Sequence, residues 1–168
     1  MNDVVLDPLH ASQHHQYLTF VLRDECFAVG IEAVKEIIEY SGVTAIPLMP
    51  DFVKGVLNLR GEVVPVIDLS LRFGKSVTQI QKRSCIIILE IPFEQHHVVL
   101  GVVVDAVNEV LDIEPHQIEA PPTFGAKIRA QFIKGVANID EQFVILLHAE
   151  KVLSVEEMAS IIENVIEQ

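Results

Sequence analysis

Seven histidines, two cysteines and twice as many carboxylates as basic side chains are the groups of this chain that could carry chemistry. His10, His14 and His15 lie close together, and His10 and His14 would share a face if their segment were helical, as a metal site requires. Asn, Asp, Pro and Ser residues around them instead indicate a mobile polar tail, and a metal site needs fixed ligands and a supporting shell. His96 and His97 fall in the turn at Pro92–His97, where solvated side chains are the default. Asp68 and Asp105 each follow an apolar run. General acid–base work needs two carboxyls held in opposed environments, and nothing in the sequence makes these two converge. No glycine-rich phosphate loop, nucleophile elbow or paired-cysteine metal motif is present. Cys26 and Cys85 each sit inside a strand-like apolar run and read as reduced core thiols, with a disulfide between them the alternative that sequence leaves open. The expectation is a protein with no catalytic residue, no metal and no cofactor.

The elements that hold these residues are legible from composition and period. Half of the 168 residues are hydrophobic and 21% are charged, enough apolar surface for a real core. Aromatics are only 6% and Trp is absent, so Val, Ile and Leu dominate, which favours strands. The formal charge of −12, with no Lys/Arg cluster, disfavours nucleic acid and anionic membranes as partners. The N-terminal residues lack the basic and long apolar regions of a signal peptide. No run approaches the ~18 apolar residues that would mark a membrane-spanning helix.

Tyr17 to Arg23 alternates with period two, placing Leu18, Phe20 and Leu22 on one face, and Cys26 to Ile31 follows as a second strand. Internal repetition is the most informative feature. The segment from Ile31 to Ile38 recurs from Val104 to Leu111, and Val53 to Leu59 recurs from Ile133 to Ile139. Apolar runs follow both copies, at Val63 to Leu69 and Phe143 to Leu147. The reading is a mainly β protein made of a duplicated unit of about five short strands, suited to a small barrel. The expected organisation is a flexible tail (1–16), then a domain (17–154) of two intertwined barrel subdomains at about 17–83 and 84–154. A helix in 155–168 packs on that domain. Val155, Met158, Ala159 and Ile162 fall at helical spacing, and Ser154 with Glu157 fits a capping box, so the helix is placed at 155–166. Pro65 predicts an edge or bulge for its strand. Residues 74–83 read as a polar link, and prolines in 114–131 discourage regular structure there.

The two copies differ at one turn. Arg60 and Gly61 in the first stand where Asp140 and Glu141 stand in the second. A cation at only one of two matched turns suits an asymmetric protein-binding site, and equally a solvated turn arginine. Val34 and Val107 are also matched, as core residues or as lining for the junction between units, with core the default.

Residues 53–74, the segment Leu100 to Leu111, and the stretch from Phe132 to Met158 resemble the CheW family, and the likeness begins near Tyr17. The resemblance implies two five-stranded, SH3-like barrels, no catalysis, and an adaptor in the cytoplasm recruited to receptor arrays at the inner membrane. Its implied partners are the tip of a chemoreceptor and the regulatory domain of the histidine kinase CheA. Carried over by position, a receptor groove falls on Val34, Gly55, Arg60, Cys85, Val107 and Val110. An ion pair between Glu36 and Arg60 would fix the groove edge, and the kinase face falls near Ile38, Tyr40, Val43 and Ile46. Two competitors remain at this point. One is the regulatory domain of a CheA kinase, which shares the fold. The other is a small β-barrel enzyme, which would need a deep polar pocket with convergent titratable groups where an adaptor needs a shallow apolar groove.

Overall fold

Apolar residues that alternate with period two form strands because each pleated segment can then bury one face, and here many segments bury both. The computed structural model describes residues 15–120, 130–152 and Glu157. Strands β1 (Gln16–Leu22) and β2 (Glu25–Gly30) form an antiparallel hairpin, followed by a short 3-10 turn and β3 (Val34–Glu39). Strands β4 (Val53–Leu59) and β5 (Glu62–Asp68) form a second hairpin that runs into the one-turn helix α1 (Leu69–Arg72). A third hairpin joins β6 (Cys85–Phe93) to β7 (His96–Val104). Strands β8 (Ala106–Asp112), β9 (Ile118–Glu119), β10 (Ile133–Ile139) and β11 (Gln142–Leu147) complete the series.

The strands assemble into a six-stranded sheet ordered β8-β1-β2-β11-β10-β9 and a five-stranded sheet ordered β3-β6-β7-β5-β4. Sequence order is not sheet order. Hairpin β1–β2 lies between β8 and β11, whereas hairpin β6–β7 lies between β3 and β5. Each half of the chain therefore inserts its leading hairpin into the sheet of the other. The two insertions match: β2 runs parallel to β11, and β7 runs parallel to β5. Repeat-equivalent irregularities also match, with bulges between Val53 and Gly55 and between Ile133 and Gly135.

Three hydrophobic cores follow from this exchange. One is shared by both sheets and includes Phe20, Phe27, Leu147, Ile67, Ile87 and Leu100. The six-stranded sheet encloses a second around Ala28, Ile113 and Leu146. The five-stranded sheet encloses a third around Leu57, Val66, Ile86 and Ile88. Strand β6 alternates between the shared core (Ile87, Leu89) and the third core (Ile86, Ile88), which explains its unbroken apolar run.

Several expectations are corrected. The barrels implied by the resemblance are curled sheets left open, because β3 and β4, the two edges of the five-stranded sheet, share no ladder. Only the Thr44–Val56 bridge spans towards β4, with Thr44 N donating to Val56 O (2.8 Å) and Val56 N to Thr44 O (2.9 Å). Pro65 lies in an interior strand, neither at an edge nor in the bulge. It is tolerated there because Val56 opposite directs its backbone to Thr44, and the ladder to β7 begins only at Val66. The proline-containing segment after Asp112 supplies a strand, β9, despite its composition. The helix expected at 155–166 lies outside the described residues except for Glu157, as do His10 and His14.

A bulge in the β1–β8 pair is filled by a side chain. Thr19 Oγ1 donates to Glu109 O (2.8 Å) and accepts from Glu109 N (3.1 Å), while Thr19 is buried. Thr19→Val keeps the shape and removes both bonds, so it should cost about 1–2 kcal/mol in urea unfolding. A loss below a few tenths would show that the bulge holds itself open.

Candidate functional site

Cys85 and Val107 come together where the two sheets join, whereas Val34 stands opposite Leu89, at the other end of the β3–β6 pairing from Cys85, which faces Glu39. Val34 and Cys85 from the five-stranded sheet and Val107 from the six-stranded sheet are all half-buried against the shared core. Cys85 lies close to the Val107 backbone, and its Sγ approaches Arg83 O at 3.3 Å. Burial, and secondarily the charge of Glu39, push the Cys85 thiol above its usual range, so it stays a neutral apolar contact. Cys26 is buried in the other sheet, and both cysteines are free.

The only charged contact between β3 and the β4–β5 turn among the described residues is that of Glu36 with Arg60. Arg60 and Gly61 both adopt positive φ (52° and 89°), as a two-residue hairpin requires, and Asn58 Oδ1 accepts the Gly61 N–H at 2.9 Å. This turn aims Arg60 at Glu36: Nη2 pairs with Oε2, and Nη1 reaches Oε1 at 3.5 Å. The hydrogen bond to Glu36, then its charge, raises the Arg60 pKa further above its ordinary value. Because β3 and β4 are opposite edges of one sheet, the pair bridges the gap in the open barrel. Asp140 and Glu141 adopt the same positive-φ turn in the other copy, with no cation to do likewise.

The remaining expected residues are placed differently. Val110 points outward at 45% exposure. Gly55 is buried at φ 152°, and a Cβ there would overlap the Thr44 carbonyl group, at 2.6 Å from its carbon. The missing side chain lets the Thr44 backbone approach. Ile38, Tyr40 and Val43 are half-buried against the core of the five-stranded sheet, and Ile46 is half-buried in the loop beyond. Burial, and to a lesser extent Asp68, raises the Tyr40 phenol.

A separate open cleft of about 510 Å³ contains none of these residues. Two pairs of its titratable groups engage one another. Lys134 Nζ donates to Tyr17 OH at 2.8 Å, and His148 lies 3.9 Å from Glu150. Burial holds the His148 imidazole below its usual pKa, outweighing Glu150. No nucleophile and base are aligned there, and no group of three or more metal-ligating side chains occurs among the described residues.

Two residues that organise the site escaped the sequence reading. Asp68 was considered only as a possible acid–base group. It is fully buried and accepts from Ser70 N, Leu71 N, Thr78 N and Thr78 Oγ1. Arg72 passes between the rings of Phe52 and Phe132. The available signal was its repeat counterpart Val152, since a charge replaces an apolar residue in an otherwise matched region.

Residues 16–157 match the CheW-like domain family. The chain is 39% identical over 150 residues to the chemotaxis protein CheW of Klebsiella aerogenes, covering 89% of this chain and 87% of that protein. It is 30% identical over 145 residues to the protein FrzA of Myxococcus xanthus, covering 85% and 88%. The crystal structure of the scaffolding protein TtCheW from Thermoanaerobacter tengcongensis superposes with a TM-score of 0.74 at 34% identity, over 85% of this chain and 90% of that one.

Proposed function

Since the chain belongs to the CheW family of non-catalytic chemotaxis scaffolding proteins, we propose that it joins a chemoreceptor tip to the regulatory domain of the histidine kinase CheA. The carrying observation is the half-buried apolar surface that has Cys85 and Val107 at one end of the β3–β6 pairing and Val34 at the other, with the Glu36–Arg60 pair on the intervening β3. An amphipathic receptor helix laid on that surface buries its apolar stripe against the valines and meets polar groups at the groove edge. Arg60 is 67% exposed, so the pair contributes geometry more than stability. Gly55 supports the groove through the backbone, and Val110 extends its outer rim.

The kinase contact is assigned to the stretch bearing Ile38, Tyr40, Val43 and Ile46, whose exposed portions flank the loop containing Leu48, itself 97% exposed. No helix among the described residues is long and apolar enough to cross a membrane. The proposed location is the cytoplasm, at receptor arrays on the inner membrane.

Capture by immobilised receptor fragments and CheA tests the reading. Arg60→Glu should lower receptor capture at least tenfold, leave the melting temperature unchanged and leave kinase capture intact. Glu36→Arg should act in the same direction, and the double reversal should restore part of the loss. Undiminished receptor capture by folded Arg60→Glu moves the site elsewhere. No wild-type capture of either partner defeats the proposal.

A further inference from the structure

The sequence repeat brings two equivalent phenylalanines to one place. Phe52 precedes β4 and Phe132 precedes β10, and their carbonyls accept from equivalent donors, Asp68 N (2.7 Å) and His148 N (2.9 Å). The Arg72 guanidinium lies 4.9 Å from each ring centroid. Its Nε donates to the carbonyl of Val152, its own repeat counterpart, at 2.6 Å, and Nη2 donates to Glu157 Oε1 at 2.8 Å. The Arg72 side chain is only 11% exposed. Beside it, Phe73 continues an aromatic run through Phe132 and Phe27 to Phe20 in the shared core.

From this arrangement we infer that Arg72 is a positioning residue that fixes the angle between the two sheets, and with it the spacing of Val34 from Val107. Apolar side chains in the shared core attract without strong directionality, so they hold the sheets together without selecting one angle. A planar cation stacked on one ring from each repeat is directional. Its donor to Val152 and its ion pair to Glu157 add two further bonds across the join between the chain halves. One half supplies the cation and the other, at the equivalent position, an apolar residue whose carbonyl accepts from it. The inference rests on the proposed function only in treating the surface from Val34 to Val107 as a binding groove.

The test reads geometry without any partner. Nitroxide labels at Lys35→Cys and Asn108→Cys, two exposed repeat-equivalent positions on β3 and β8, report the distance across the groove in a Cys26→Ala, Cys85→Ser background. The parent should give one narrow distance distribution by pulsed electron–electron resonance. Arg72→Met should at least double its width, and Arg72→Lys, which keeps charge without the planar fork, should fall between. An Arg72→Met distribution as narrow as the parent overturns the inference. If Arg72→Met does not fold, Phe52→Leu, which removes one stacking ring and retains the guanidinium, makes the same comparison with the same two outcomes. A widened distribution with unchanged receptor capture would leave this inference standing and count against the groove assignment instead.

Discussion

Replacing Gly55 by alanine should destabilise the protein by roughly 2–5 kcal/mol, combining backbone strain with overpacking. The φ of 152° is one that side-chain-bearing residues rarely adopt, and the new methyl would press on the Thr44 carbonyl and on Ala45 Cα (3.1 Å). Neither neighbour is a flexible side-chain end that can swing away. The Thr44–Val56 bridge should break first, freeing the β4 edge of the five-stranded sheet. Two controls separate the causes. Gly61→Ala meets no atom within 4 Å and carries only the cost of its positive φ, so about 1 kcal/mol is expected. Gly135→Ala sits at the equivalent bulge, where the Ile118 side chain can yield but Glu119 O at 2.8 Å cannot, so its cost should be intermediate. Chemical denaturation of the three variants checks the order, and a Gly55→Ala loss no larger than that of Gly61→Ala would refute it. Lost receptor capture by Gly55→Ala then reports lost structure, not a lost contact.

Asp68→Ala is the second large effect, at about 3 kcal/mol or more. The carboxylate caps α1 through Ser70 N (3.1 Å) and Leu71 N (3.3 Å), and holds the following link through Thr78 N (2.9 Å) and Oγ1 (2.7 Å). Removing it strands donors on Ser70 and Thr78, both of which are buried. Thr78→Val deletes only the hydroxyl donor and should cost about 1 kcal/mol. Urea unfolding distinguishes the two. Equal losses would mean that Asp68 acts through Thr78 alone. Hydrogen exchange should also quicken across 74–83 in Asp68→Ala, because the link would lose its anchor.

Local chemistry was legible where it depended on neighbours in sequence. The alternation from Tyr17 marks β1, the matched repeats mark equivalent strands, and the turns at Arg60 and Asp140 fall where the sequence puts them. The exchange of hairpins was not legible, because an apolar strand such as β6 satisfies either sheet equally well and period alone does not name its neighbour. Pro65 misled for a related reason: its missing N–H costs nothing where the parallel ladder starts one residue later. Of the candidate site, the Glu36–Arg60 pair and the approach of Cys85 to Val107 join residues far apart in sequence, which period and composition cannot bring together. Gly55 gives clearance to the Thr44 backbone, a role that its neighbours in sequence do not signal. The polar link at 74–83 read as a connector, and the carboxylate that pins it lies in the preceding strand.

The reciprocal hairpin exchange bears on how the protein is made. On the ribosome, β1 and β2 emerge first, yet their lateral neighbours β8 and β11 start at Ala106 and Gln142. Until most of the chain has been synthesised, the nascent hairpin has no sheet to join, and a lone hairpin is marginal in water. The second sheet is complete by Val104, before the first can close, so assembly during translation runs opposite to the order in which the strands appear. In a crowded polysome, neighbouring nascent chains present the same acceptor edges, and a hairpin waiting for its own β8 and β11 competes with insertion into another molecule.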